Sequence, residues 1–544
     1  MKDMIESGTE IHPVARMYAD EVGAGSLSRR EFLTRATALG LAAPTAYGLL
    51  GLVAPEAKAQ GTMGGTLRMQ MDIRAQRDPR TWDWSELANS CRGWLENLVE
   101  YERDGSLTPI LLEAWEANED ATVYTLHVRQ GVKWNNGDDL TADHIAHNFV
   151  RWADASVEGN SMAARVAPLV ENGALRPGAV EVVDSHTLRL NLNGPDISLI
   201  VSLADYPAAV VHPSFTGDDP VANPIGTGPY RPVSYEPGIG QVIERNPDHT
   251  WWNAGNGAWL DRLEISDLGT DPSAWIAAVE AGEIDMIYQT QGDYIDIFEA
   301  IGLPRSEAVT SSTLAVRFNQ QQEPYTNKAV RLALQKAVSN AIVLELGYND
   351  LGTVAENHHV CPIHPEYFPL PAPIFDPVAA RAEIVAAGLG DFEFELISVD
   401  DNWQAATCDS VAAQIRDAGI NIKRTILPGA TFWNDWTKYP FSSTEWNMRP
   451  LGVQVLNLAY RSGEAWNESA FANAEFDGLL DQANGIADAA ARRVVMERIE
   501  QIMQEEGVLI QPYWRSLFRN ARPNVQGAEM HPTFNLNVVG LSIS

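Results

Sequence analysis

Cysteine and positive charge are the two things this chain has least of. Three cysteines in 544 residues, Cys91, Cys361 and Cys408, cannot build a disulfide framework, and an odd number leaves one thiol over. Lys and Arg number 39 against 72 Asp and Glu, for a formal charge of −33. Such a surface repels nucleic acid and anionic lipid and disfavours both as partners. Several catalytic signatures are also missing. No Gly-Lys pair occurs, so no phosphate-binding loop of the GxxxxGK[ST] type is present. Neither GxSxG nor HExxH appears, which removes two common hydrolase signatures. The absence of GxGxxG and of a cysteine cluster argues against a dinucleotide or iron–sulfur oxidoreductase. An enzyme remains only as a minor alternative, and no cofactor is implied.

Long apolar runs are scarce as well, and the one of note, Ala36 to Ala54, lies near the start. It follows SRREFL (28–33), in which Arg29 and Arg30 form a twin-arginine pair. PEAKAQ comes next, with Ala57 and Ala59 at the small-residue positions that a signal peptidase reads. Pro44, Thr45 and Tyr47 make the run a poor bilayer span. Residues 1–59 therefore read as a twin-arginine signal peptide, an address rather than part of the fold, cut between Ala59 and Gln60. The leader holds six Lys and Arg and seven Asp and Glu, so 33 against 65 remain in a mature chain of about 485 residues. That length suits two lobes.

The early mature chain reads as β-rich. TVYTLHVRQG (122–131) alternates as a strand and ends at Gly131, and NNGDD (135–139) is turn chemistry. A helix starts at Thr141, with Ile145, Phe149 and Trp152 at helical spacing. VEVVDSHTLRLNL (180–192) predicts two strands about the Asp-Ser turn, and a further pair flanks EPGIG. The Gly/Pro-rich NPIGTGPY (223–230) predicts a tight turn into a strand at Tyr230. From about residue 311 strands and helices alternate. STLAVRFNQ (312–320) is a strand and 327–346 one long helix. FEFELISV, WQAATCDSVAAQIRDAG and INIKRTIL form a strand–helix–strand unit with Gly419 as helix terminator. A last helix closes at Gly507, and YWRSLFRN (513–520) returns to strand.

The densest set of metal-capable side chains is ENHHVCPIHPE (356–366), with His358, His359, Cys361 and His364. Imidazole and thiolate suit Zn or Ni. The competing reading is a proline-punctuated loop whose histidines hydrogen-bond or line a pocket, because adjacent histidines in an extended loop point to opposite sides. No metal is assigned.

Four segments, in order, carry a resemblance. They are TPILLEAWEANEDATVYTLHVRQGVKWNNGDDLTADHI (108–145), PIGTGPY with VIERNPDHTWW, VEAGEIDMIY (279–288), and WNESAFANAEFDGLLDQA (466–483). The mature chain resembles the peptide/nickel-type, family 5 solute-binding proteins of ABC importers, a family of dipeptide- and oligopeptide-binding proteins. The resemblance implies an α/β, two-lobed clamp fold. Lobe I would span 60–310 with a β-rich subdomain at about 89–220, lobe II would span 311–509, and 510–544 would return to lobe I. The hinge would be crossed near 308–312 and 507–514. It implies a monomeric periplasmic receptor, not an enzyme, that passes a small-molecule or short-peptide solute to permease subunits served by a cytoplasmic ATPase. Export would engage the Tat machinery and signal peptidase.

Peptide binders of this family commonly carry Trp-x-x-Asp where this chain reads EWNMRPLG (445–452), and that carboxylate holds the peptide's ammonium. Here the tryptophan is Trp446 and the acid position is Arg449. Pro450 keeps Arg449 out of a helix interior. Two readings compete: an ion pair within an acidic protein, or an anchor for a ligand carboxylate. The second is the preferred expectation. It makes Arg449, Trp446 and Asn447, with His358 and His359, the candidate ligand-binding residues for a carboxylate-bearing, peptide-like or amino-acid-derived solute. A nickel or metal-chelate receptor of the same family is the alternative.

Overall fold

A computed structural model describes residues 11–53, 61–217, 219–292, 294–486 and 489–544. One sheet of twelve strands runs through the molecule. Its first half holds the parallel strands Thr66–Gln70, Arg262–Ser266 and Met286–Thr290, with the hairpin Tyr230–Glu236 and Gly240–Arg245 at its edge. Its other half holds Phe394–Val399 parallel to both Ile422–Leu427 and Phe441–Trp446. Two long antiparallel strands, Arg305–Phe318 and Tyr513–Ala521, join the halves. Their register slips between Val309 and Ser312, where the chain passes from one half to the other. The result is the two-lobed α/β clamp.

The predicted β-rich subdomain contains a separate four-stranded sheet, Leu112–Ala117, Val123–Val128, Thr187–Asn191 and Val180–Asp184. Along Val123–Val128 the buried side chains are Tyr124, Leu126 and Val128, the period-two pattern of a half-buried strand. Thr141 is the N-cap of Ala142–Trp152, whose Ile145, Phe149 and Trp152 are buried against that sheet. The glycines of PIGTGPY do more than turn the chain. A Cβ on Gly226 would sit 1.9 Å from the Trp94 carbonyl oxygen, and one on Gly228 2.7 Å from that of Gly93. Two backbones meet there, and only glycine permits it.

One expectation needs correction. The helix anticipated over 327–346 is two helices, Lys328–Lys336 and Asn340–Tyr348. The Ser339 backbone N–H leaves the helical ladder to donate to Gln414 Oε1 at 2.9 Å, and Ser339 becomes the N-cap of the second helix. Residues 11–53, expected to belong to a signal peptide, are largely helical and pack on the rest of the chain. Pro13–Gly23, Arg29–Ala38 and Ala43–Leu49 are helical and share a small core built on Tyr18, Phe32 and Leu33. Trp115 Nε1 donates to the Ala38 carbonyl at 3.0 Å, and buried Arg35 lies 3.6 Å from Glu366. Burial pushes the Glu31 carboxyl up to about 8, against the pull of Arg35. No described helix is long and apolar enough to cross a membrane.

Candidate functional site

Parallel strands gather ligands at their carboxyl ends, where loops lead away from the sheet. Both lobes turn those ends toward one cavity of about 1180 Å³. Thr66–Gln70 is followed by Asp72, Arg74 and Arg77, Arg262–Ser266 by Asp267, and Met286–Thr290 carries Tyr288 and Gln289. From the other lobe, Phe394–Val399 is followed by Asp401, Trp403 and Gln404, and Ile422–Leu427 by Trp433. Glu445 comes from the strand Phe441–Trp446.

The lobes touch through aromatic rings at the cavity edge. Trp84 and Trp433 meet edge-on, with centroids 4.1 Å apart at 67°. The Arg74 guanidinium lies 4.7 Å from the centre of the Trp84 ring and 5.5 Å from that of Trp433. That cation–π seat orients it without consuming its N–H groups. Arg74 makes no side-chain hydrogen bond or ion pair among the described residues. Deeper in, Arg515 stacks 3.9 Å from the centre of the Trp403 ring and is ion-paired with Glu445.

The carboxylates do not all have partners. Asp83 pairs with Arg77. Asp267 accepts backbone N–H groups from Ile73 at 2.9 Å and Gly269 at 3.0 Å. Asp401 caps its helix through the Trp403 N–H at 3.2 Å. Asp72 has no hydrogen bond or ion pair among the described residues; burial pushes its carboxyl up to about 7, Arg74 opposes, and Glu86, Asp267 and Asp401 add to the rise. Burial likewise raises Glu445 to about 7 and Asp401 to about 6, with Arg515 opposing in both cases.

The residues anticipated from EWNMRPLG lie next door. Trp446, Asn447 and Arg449 come together around a separate cavity of about 20 Å³, roughly a water's room. Arg449 is 4 % exposed, and its Nε lies 3.0 Å from Asp205. Arg165 holds the same carboxylate at 2.6 Å. Burial favours the protonated Asp205, yet Arg165 and Arg449 together hold its carboxyl below the usual range. The Arg449 Nη1 also donates to the Asn447 and Met448 carbonyls at 3.0 and 3.2 Å. Trp446 Nε1 donates to Glu468 at 2.7 Å. None of the three lines the large cavity.

The histidines are in neither cavity. His358 is buried, with Nε2 3.0 Å from Glu356, and His359 Nδ1 lies 2.6 Å from the Tyr460 hydroxyl. The hydrogen-bonded reading of that loop is the one seen. Among the described residues no three His, Cys, Asp or Glu side chains are grouped to hold a metal. All three cysteines are buried as free thiols. At the other end, Arg29 Nη2 donates to the Tyr47 hydroxyl at 3.1 Å and Arg30 Nη2 to the Arg103 carbonyl at 2.6 Å. Ala59 and Gln60 fall outside the described residues.

Sequence reasoning passed over Asp72, Arg74, Trp84, Asp401, Gln404 and Trp433. A signal existed: MDIRAQRDPRTWDW and VDDNWQ each set charges and tryptophan directly after a parallel strand.

The model of the bacterial extracellular solute-binding proteins, family 5 Middle, matches residues 106–467. Heme-binding protein A of Haemophilus influenzae is 25% identical over 474 residues, covering 80% of this chain and 84% of that protein. The dipeptide-binding protein DppE of Bacillus subtilis is 21% identical over 550 residues, covering 91% and 96%. Among solved structures, OppA of Haemophilus influenzae in complex with RPPGFSPFR superposes with a TM-score of 0.80 at 19% identity, over 89% of this chain and 100% of that one.

Proposed function

The chain belongs to the bacterial extracellular solute-binding proteins of family 5, and on that premise we propose that it is the periplasmic receptor of an ABC importer. It captures a small peptide-like or amino-acid-derived, carboxylate-bearing solute between closing lobes and delivers it to the permease subunits, themselves driven by a cytoplasmic ATPase. The observation that carries this reading is the cavity of about 1180 Å³ with walls from both lobes. A solute there touches both lobes only when they are closed, so binding selects the closed state. Arg74, seated on one tryptophan from each lobe, is the receiver for the carboxylate, in place of Arg449. The relatives' names, heme- and dipeptide-binding, keep the solute class broad. The nickel-chelate alternative is the less supported, because His358 and His359 are hydrogen-bonded and do not line the cavity. The protein acts as a monomer and by binding, without turnover.

Native mass spectrometry of protein taken from its own periplasm tests the reading: a bound solute is recovered unchanged. A hundredfold excess over its dissociation constant stabilises the fold by about 2.7 kcal/mol. Small-angle scattering shows compaction. A chemically altered solute would replace the receptor with an enzyme. Export rests on the twin-arginine pair, so Arg29→Lys with Arg30→Lys retains the precursor inside; normal periplasmic yield would refute that route.

A further inference from the structure

We propose that the solute carries a net positive charge, a basic side chain in addition to an amino and a carboxylate group, lodged between Asp72 and Glu86 of the first lobe and Asp401 and Glu445 of the second. The inference rests on the receptor reading above and specifies its solute class.

The charge balance of the cavity is the first argument. Six carboxylates line it, Asp72, Asp83, Glu86, Asp267, Asp401 and Glu445, against the guanidiniums of Arg74 and Arg77. Arg77 is spent on Asp83, Arg515 on Glu445, and backbone N–H groups satisfy Asp267. Asp72 and Glu86 remain against Arg74, and Asp401, although it caps its own helix, has only Arg515, which is already paired with Glu445. Let Arg74 bind a solute carboxylate and one acid bind an amino group. Two carboxylates are still without a cation.

The second argument is an orphaned acceptor. Gln404 is 2 % exposed, and its Nε2 is turned to Asp401 at 3.3 Å, which leaves Oε1 as the other end of the amide. That Oε1 is buried with no donor. A buried acceptor without a donor is costly, so what is missing beside Asp401 is an N–H. The adjoining Trp403 indole N–H is also unpaired and suits the oxygens that any peptide-like solute offers. An ammonium or guanidinium supplies the donor and the charge together.

The third argument is mechanical. Asp72 and Glu86 face Asp401 and Glu445 across the cleft; burial raises the Asp72 and Glu445 carboxyls, and the facing acids add to the rise. Closure without a cation brings like charges together, whereas a cation between them turns the same groups into a latch. The carboxylates are not grouped as metal ligands among the described residues, and Trp403, Trp433, Tyr288 and Tyr348 help line the cavity. An organic cation fits such walls better than a bare ion.

Calorimetric titration with three dipeptides matched in side-chain length, Ala-Lys, Ala-norleucine and Ala-Glu, tests this, since all three share the same amino terminus and carboxylate. Ala-Lys binds roughly tenfold or more tighter than Ala-norleucine, and Ala-Glu is the weakest. In Asp72→Asn/Asp401→Asn the preference collapses to within about threefold. Asparagine keeps the cap at 401, and circular dichroism verifies the fold. Equal binding of Ala-Glu and Ala-Lys, or a preference that survives in the double variant, overturns the charge inference and leaves the receptor reading standing. If none of the three binds, the peptide-like receptor reading falls and takes this inference with it.

Discussion

The two cavities share a wall, since Asp83, Trp84, Trp433 and Glu445 border both, yet they treat charge in opposite ways. Around the small one, Arg165 and Arg449 converge on Asp205, and Arg449 Nη1 is further taken up by the Asn447 and Met448 carbonyls. Around the large one, among the described residues, Asp72 has no hydrogen bond or ion pair and Arg74 is propped on two rings with its N–H groups unused. A charged residue is available to a solute only where the fold withholds its partner. On the proposed reading the small cavity is a strut and the large one the receptor site. Variants that exchange these roles, costing affinity at the strut or stability at the receptor, would break the distinction.

The largest effect belongs to the strut. Asp205→Ala leaves two buried guanidiniums without their carboxylate and costs about 3–5 kcal/mol of stability by chemical denaturation. Arg449→Ala sits in the same range and leaves the affinity of the surviving folded protein for its co-purified solute within roughly threefold. A stable Arg449→Ala variant that fails to bind would restore the arginine to the ligand.

Asp72→Asn acts the other way. Affinity for a basic dipeptide falls about tenfold, or about 1.4 kcal/mol, because a carboxylate facing the cation is neutralised. Stability does not fall, because the carboxylate makes no hydrogen bond or ion pair among the described residues. A loss of stability without a loss of affinity would move Asp72 to the structural side.

The pH dependence sharpens the same contrast with a smaller effect. Asp72 has its folded value raised to about 7 from an ordinary 3.8, so the folded protein holds the proton longer than the unfolded chain. Its contribution is present in full below about pH 4 and is lost as pH rises to about 7. Arg74 opposes the shift, while Glu86, Asp267 and Asp401 reinforce it. The stability of Asp72→Asn relative to the parent therefore grows between about pH 4 and 7, by on the order of 1 kcal/mol given the partial exposure of the group, and is flat above that. Asp205, with a lowered carboxyl, runs in the opposite sense: its contribution is held at neutral pH and lost on acidification below its ordinary range.

How much of this was legible in the sequence follows from which signals are local. Alternation announced the strand Val123–Val128, and Thr141 announced the helix it caps, because both depend on neighbours in the chain. The family motifs announced the clamp. The helix break at Ser339 was hidden because its cause, Gln414, lies 75 residues away. The packing of the first helices was hidden too, since Trp115 and Glu366 hold them from a distance. The role of Arg449 depends on Asp205, and nothing near EWNMRPLG points to it. The residues of the proposed receptor site were the more readable set. They follow parallel strands directly, and a rule about strand ends would have found Asp72 and Asp401 where a rule about motifs found Arg449.

Glu445 belongs to both cavities and is the finest test of the distinction. It is one residue from Trp446 and faces the acids of the large cavity, but its charge is already met by Arg515, which also stacks on Trp403. Glu445→Gln keeps an acceptor for the Arg515 guanidinium and removes only the charge. The desolvation that raises the Glu445 carboxyl to about 7 disappears with that charge, offsetting part of the lost ion pair. Stability changes by about 1 kcal/mol or less. Affinity for a basic dipeptide falls about twofold to threefold, less than for Asp72→Asn, because a paired carboxylate gives the solute less than an unpaired one. Calorimetry on the two single variants and their double then measures the coupling across the cleft. If Glu445→Gln costs more affinity than Asp72→Asn, pairing within the protein does not decide which carboxylates the solute uses, and the division into strut and receptor fails at its shared wall.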